Sequence, residues 1–201
     1  MAKPKGETLI EVIAALTALV LAGTAAVTVI VSTYQNTALS REYLIAQNLA
    51  REAVEGVSNI RDTNWLLYPA EMDQCWMVVT SEECPPGAGM APTDMGRYTV
   101  ERKSNGQYQM KLEGNGSDDD LDLESDRIAA AAYRLWANDG VYQHDSSGAE
   151  GTIWYRQVTL EQTDGVIPMT EKIKVTVLVQ WDKAPEVGKY EISTILTNYA
   201  K

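Results

Sequence analysis

The sequence predicts an α+β fold, in which one long N-terminal α-helix packs against an antiparallel β-sheet head. Residues 12–31 form an apolar run of 20 residues without a charge. A stripe of apolar residues at helical spacing follows that run, and no proline interrupts the chain between Pro4 and Pro69. Several segments in residues 97–199 alternate apolar and polar residues, the period of a strand with one buried face. A helix that is apolar first and amphipathic later, followed by strands, is the order that predicts this fold.

The apolar run at residues 12–31 is long enough to cross a membrane. At 1.5 Å per residue it spans about 30 Å, the thickness of a bilayer's hydrocarbon core. Lys3 and Lys5 precede it and the next basic residue is Arg41, so the positive-inside rule places the N-terminus in the cytoplasm and the head outside. A buried core helix and a cleaved secretory signal are the alternatives. The run is longer than the apolar core of an ordinary signal peptide, which favours an anchor.

The second half of the predicted helix is amphipathic. We expect one helix from about residue 8 to about residue 60, roughly 80 Å long. Its apolar stripe predicts packing against a sheet of the same chain, with a coiled coil to a partner as the alternative. The stripe consists of Leu39, Tyr43, Ala46, Ala50, Ala53, Val57 and Ile60.

The residues before the apolar run form a motif of their own. The sequence from Lys5 to Val12 is KGETLIEV, in which Glu11 stands at the edge of the membrane segment. A carboxylate there is costly and suggests a function. The motif resembles the leader and cleavage site of type IV pilins and pseudopilins, and residues 48–65 resemble the end of the first helix in many minor-pilin-like proteins. The resemblance implies that a prepilin peptidase cuts after Gly6 and methylates the new N-terminus at Glu7, and that Glu11 directs subunit assembly.

The resemblance also implies an organisation and a life cycle. Residues 1–6 would be the leader, 7–33 the apolar assembly helix, 34–64 its amphipathic half and 65–201 an extracytoplasmic β-rich head. The chain would be a structural subunit of a type IV pilus, held in the membrane with a cytoplasmic N-terminus and then moved into an extracellular filament. Its partners would be identical or related pilin subunits, the prepilin peptidase and the pilus assembly platform. Adhesion, motility and secretion are the roles such filaments serve.

One position departs from the family pattern. An apolar residue usually follows the cleavage glycine, whereas this chain has Glu7, one helical turn before Glu11. Like charges at that spacing are unfavourable. Cleavage creates an α-amine that is cationic at neutral pH and can offset Glu7. A neighbouring subunit's Glu11 could pair with the same amine, and such a pair fixes the register between packed helices.

The remaining chain predicts an antiparallel sheet. Strands at residues 97–103 and 107–112 flank Asn105-Gly106, a strong hairpin signal. A second turn is expected at residues 138–140, between residues 135–136 and 141–142. Residues 128–132 fit either a strand or a short helix. Three longer strands follow at residues 152–162, 172–181 and 190–199, and short connections between consecutive strands favour antiparallel pairing.

Two features of the head could carry chemistry. Cys75 and Cys84 can form a disulfide outside the cytoplasm, with two free thiols as the alternative. The acidic run at residues 117–124 places carboxylates at alternate positions, a pattern that could bind calcium, although it lacks the glycine and the final glutamate of an EF-hand loop. A solvated acidic loop is the competing interpretation. The candidate ligands are Asp118, Asp120, Asp122 and Glu124.

The composition argues against several classes of function. Acidic residues outnumber basic ones by 28 to 17, so general binding to nucleic acid is not expected. The single histidine, His144, begins the run His144–Ser147, which contains the residue types of a catalytic triad. Residues that are adjacent in sequence cannot adopt the geometry of a triad. We therefore expect no enzyme and no cofactor. The alternatives to a pilus subunit are a pseudopilin of a secretion machine and a membrane-anchored binding domain that never polymerises.

Overall fold

The first element of the computed structural model is helix α1, which runs without interruption from Glu7 to Leu67. The structure describes residues 7–77, 84, 96–103, 105–114, 121–125, 129–146, 148–163, 171–183 and 186–198. Helix α1 ends where Tyr68 N donates to Asn64 O at 2.8 Å and Pro69 follows, since the residue before a proline disfavours helical geometry. A single turn, α2 (Met72–Cys75), comes next. The chain divides into two units, Met1–Leu44 and Ile45–Lys201.

The second unit contains a seven-stranded sheet in which every described strand pair is antiparallel. Strand β5 is its centre: β6 pairs along residues 154–162, whereas β1 and β3 pair with residues 158–160 and 150–155 on its other edge. Strands β2, β4 and β7 then pair with β1, β3 and β6. The strands are β1 (Gly96–Arg102), β2 (Tyr108–Gly114), β3 (Arg134–Asn138), β4 (Val141–Gln143), β5 (Glu150–Gln162), β6 (Lys172–Trp181) and β7 (Gly188–Thr197).

Both predicted hairpins are present. β1 and β2 pair across Asn105-Gly106, and Gly106 has a φ of +87°, a backbone conformation that favours glycine. β3 and β4 pair across Asp139-Gly140, where both residues have positive φ. The sequence left residues 128–132 undecided between a strand and a short helix, and residues 129–132 belong to a 3₁₀ helix, Ala129–Tyr133. Residues 164–170, between the strands predicted at 152–162 and 172–181, lie outside the described residues.

The main core lies between the second half of α1 and one face of the sheet. Ala46, Ala50, Ala53, Val57 and Ile60 are fully buried, which confirms the predicted stripe from Ala46 onward. Across from them, β6 buries its alternate residues as predicted, and all five are buried: Ile173, Val175, Val177, Val179 and Trp181.

The first two residues of the predicted stripe do not join this core. Leu39 is 42% exposed and Tyr43 is 50% exposed, so the prediction that they pack on the sheet is wrong. Helical spacing continues through both positions, but a stripe is buried only where a second element covers it. Burial in α1 begins at Ala46.

A second, smaller core covers part of the opposite face of the sheet. Leu121 and Leu123 are buried there with Ala130 and Tyr133 from the 3₁₀ helix. Leu178 of β6 packs against this cluster, because successive side chains of a strand point to opposite faces. The segment around Leu121 therefore lies on the outer face, away from α1 residues 45–67.

Cys75 and Cys84 form a disulfide, with their Cα atoms 5.9 Å apart. This confirms the predicted disulfide and rules out the alternative of two free thiols. Trp76 and Met77, next to Cys75, are fully buried in the main core. The bridge therefore ties residue 84 to a segment that the core already holds.

Candidate functional site

The apolar half of α1 is the candidate assembly surface. It exposes its large side chains all round: Leu9 is 71% exposed and Ile30 is 67% exposed. Among the described residues, α1 is the one helix long and apolar enough to cross a membrane. Exposure of this much continuous apolar surface is unusual for a soluble monomer and marks contact with a membrane or with other proteins. The helix is therefore suited to anchor the chain in a membrane.

Glu11 stands inside this apolar surface. Its side chain is exposed, and no described residue forms an ion pair with it. Glu7 begins α1, one helical turn before Glu11, so the two residues share a face of the helix. The cleavage residue Gly6 and the side chain of Glu7 lie outside the described part of the chain.

Between Glu11 and Ala25, the face of α1 that carries Glu11 is built from small residues. Counting 100° per residue, four alanines lie within about 40° of Glu11 around the helix axis. They are Ala15, Ala18, Ala22 and Ala25. The opposite face carries Leu9, Leu16, Val20 and Val27, all of which are large. A face of alanines lets a second helix approach closely, so Glu11 lies at one end of a surface suited to helix–helix packing.

The hydroxyl groups of three threonines in the apolar half donate hydrogen bonds to backbone carbonyls of the same helix. Thr17 Oγ1 donates to Ile13 O at 2.7 Å, and Thr28 Oγ1 donates to Thr24 O at 2.9 Å. Thr24 bonds in the same way to Leu21 O. An unpaired hydroxyl would be costly in a hydrocarbon environment. These bonds make the segment compatible with a membrane despite three polar side chains.

Arg156 is a buried cation that the sequence analysis missed. Its guanidinium donates to Leu49 O at 3.1 Å and to Val100 O at 2.8 Å, and it pairs with Glu52 at 3.5 Å. Burial lowers the pKa of Arg156, and the nearby Glu52 carboxylate opposes that shift. The side chain joins α1 to strand β1, which indicates a structural role. A charged residue at an inward-facing position of β5 was the signal available in the sequence.

His144 follows β4 at a bend. Both ring nitrogens are buried and have no hydrogen-bond partner among the described residues. Burial lowers the pKa of His144 to about 3, and the positive charges of Arg156 and Lys111 add to this effect. The ring of His144 is therefore neutral at physiological pH.

The described part of the acidic run forms a turn. Asp118 and Asp120 lie outside the described residues. The Asp122 carboxylate accepts hydrogen bonds from Glu124 N at 2.9 Å, from Ser125 N at 3.2 Å and from Ser125 Oγ at 2.6 Å. These bonds lower the pKa of Asp122, because they favour its charged form. Within the described ranges, no group of three acidic, histidine or cysteine residues could hold a metal ion.

Comparison of the chain with protein-family models, with curated proteins and with solved structures finds no match.

Proposed function

We propose that this chain is a structural subunit of a type IV pilus-like filament. In this proposal, a prepilin peptidase cleaves after Gly6 and methylates Glu7, and the mature subunits polymerise by packing their apolar helices. The observation that carries the proposal is Glu11, a carboxylate on the small-residue face of an exposed apolar helix. Among the residues that the structure describes, no ion pair accounts for a charge at that position.

Pairing with the N-terminal amine of a neighbouring subunit would compensate the negative charge of Glu11 inside the apolar helix bundle. A lone charge in an apolar bundle is strongly unfavourable, whereas a paired one is far less so. The alanine face next to Glu11 would bring the partner helix close, and the pair would then fix the register between subunits. Before assembly, the same helix would hold the subunit in the membrane with its N-terminus in the cytoplasm.

The N-terminus of the assembled protein tests the processing step. We expect intact mass and N-terminal sequencing of material sheared from the cell surface to give a chain that starts at Glu7. A start at Met1 or Ala2 would indicate a membrane-anchored domain that is never processed. A start near Val27 would indicate ordinary secretion, and the proposal would fail.

Variants of α1 test the assembly step. Glu11→Ala should reduce incorporation into filaments by roughly a hundredfold to a few thousandfold, because removing one partner of a buried pair costs about 3–5 kcal/mol. Glu55→Ala, a matched change at an exposed position of the same helix, should leave incorporation unchanged. Ala22→Leu on the face of Glu11 should impair assembly, whereas Val20→Leu on the opposite face should not. Equal assembly by all four variants would contradict the proposed packing.

The place where the filament accumulates separates a pilus from a pseudopilus. A pilus subunit should appear in long filaments that shearing releases from the cell surface. A subunit of a secretion machine should be processed in the same way but remain in the cell envelope.

A further inference from the structure

Helix α1 contains a polar stretch between its apolar half and its buried half. The apolar run ends at Val31, and burial against the sheet begins at Ala46. Residues 32–41 form the polar segment, and all ten of them are exposed. A membrane would cover the run before this segment, and the sheet covers the helix after it. The polar segment therefore depends on its own local interactions to stay helical.

The composition of the polar segment is unfavourable for a helix. Six of its ten residues belong to types with low helix propensity, because their side chains lose freedom in a helix or compete for backbone hydrogen bonds. Intrinsic propensity therefore stabilises the helix only weakly here. The six residues are Ser32, Thr33, Tyr34, Asn36, Thr37 and Ser40.

The hydroxyl groups of the polar segment bond to backbone carbonyls one turn earlier. Thr33 Oγ1 donates to Val29 O at 2.8 Å, and Thr37 Oγ1 donates to Thr33 O at 2.8 Å. Ser40 Oγ donates to Asn36 O at 2.9 Å. Bonds of this kind slightly destabilise a helix and often bend it. None of the ion pairs between described residues involves the polar segment, so charge pairing adds no support.

A helix without packing is marginally stable in water. Isolated helices shorter than about 12–15 residues are marginal even when they are rich in alanine, and most helical stability in proteins comes from packing of one face. The apolar run would keep its helix in a membrane, because backbone groups must bond internally there. Residues from Ala46 onward keep theirs because the sheet packs against them. The polar segment has neither source of stability.

We propose that the polar segment is a hinge, a stretch of helix that opens and closes in the unassembled subunit while the flanking stretches stay helical. Opening it uncovers no buried core and breaks only solvent-exposed hydrogen bonds, the features of a region with low local stability. An open hinge would let the head turn independently of the membrane anchor. The hinge requires an anchored chain but no filament, so it is independent of the assembly role of Glu11.

Hydrogen exchange of the full chain in detergent micelles, read by mass spectrometry of peptic peptides, tests the hinge. We expect protection factors in the polar segment about a hundredfold or more below those of residues 46–60, which the sheet covers. A fourfold variant should raise protection of the polar segment by about tenfold or more, because alanine is the best helix former. The fourfold variant carries Thr33→Ala, Asn36→Ala, Thr37→Ala and Ser40→Ala.

A matched variant in the apolar run provides the control. It carries Thr17→Ala, Thr24→Ala and Thr28→Ala, and it should leave exchange of the polar segment unchanged. Equal protection of the polar segment and of residues 46–60 would overturn the hinge. Fast exchange that the fourfold variant does not slow, or that the control variant slows equally, would also overturn it, because low helix propensity of the polar segment would then not be the cause.

Distances between spin labels measure the opening directly. Val31→Cys and Glu55→Cys place labels 24 positions apart on either side of the polar segment, a separation of about 36 Å along a continuous helix. The native cysteines are bridged and do not take the label. We expect a broad distance distribution with the native polar segment and a narrow peak near that separation in the fourfold variant. A narrow peak in both proteins would contradict the hinge.

Discussion

At the scale of single residues, His144 couples the stability of the head to pH. Its folded-state pKa of about 3 lies below the ordinary value of 6.5, since burial and the charges of Arg156 and Lys111 disfavour the protonated ring. The neutral form is therefore the one that the fold accepts. The contribution of His144 to the free energy of unfolding is fully present above about pH 6.5. It is lost as the pH falls toward 3, because the unfolded chain then binds a proton at this residue that the folded chain does not bind.

We expect the free energy of unfolding to fall by about 1–2 kcal/mol between pH 6.5 and pH 5, and we expect His144→Gln to remove most of that fall. Urea unfolding of the full chain in detergent, followed by tryptophan fluorescence, measures both curves. This pH window isolates the effect, since the chain has no other histidine and the lowered pKa of Asp122 acts at lower pH. Identical slopes for the two proteins would rule out this role of His144.

At the scale of elements, the contact between α1 and the sheet depends on a glycine. A Cβ atom added at Gly56 would lie 2.8 Å from Tyr108 Cδ1 and 2.9 Å from Val100 Cγ1. Such distances require the side chains of Tyr108 and Val100, or the backbone that carries them, to shift. Gly23, in the apolar half of the same helix, has nothing within 4 Å of the corresponding position. Two glycines with the same helix propensity therefore stand in opposite environments.

We expect Gly56→Ala to lower the midpoint of thermal unfolding, and Gly23→Ala to leave it unchanged or raise it. Alanine favours a helix over glycine by about 1 kcal/mol. At Gly56 the cost of overpacking, about 1–3 kcal/mol, should exceed that gain. Circular dichroism of both variants in the same detergent provides the comparison. A rise of the midpoint with Gly56→Ala would show that helix and sheet are not in close contact there.

At the scale of the whole molecule, the disulfide reports the compartment of the head. Cys75 and Cys84 are bridged, and such bridges persist outside the cytoplasm. We expect the denatured chain taken from its native membrane to bind no maleimide before reduction and two maleimides after reduction, as read by intact mass. Cys75→Ser should bind one maleimide without reduction, which shows that the reagent reaches the thiol. Two adducts on the unreduced native chain would place the head in a reducing compartment.

The sequence by itself determined helix α1, the strands of the sheet and much of their burial. Asn105-Gly106 identified a hairpin, strict alternation identified β6 and its buried face, and the uninterrupted apolar run identified the first half of α1. These features are local, since periodicity and turn chemistry depend on neighbours in the chain. The motif around Gly6 and Glu11 is local as well, and its function remains a prediction.

The tertiary structure decided what depends on residues that are distant in sequence. Arg156 has its partners at Leu49 and Val100, more than fifty residues away, so no local pattern could show that its charge is satisfied. Tyr43 fits the helical stripe but is exposed, because burial requires a covering element as well as the right spacing. The buried Gln157 likewise gains its partner, Leu121 N, only once the segment at Leu121 crosses the sheet. Local patterns specify which face of an element is apolar, and long-range packing specifies what that face meets.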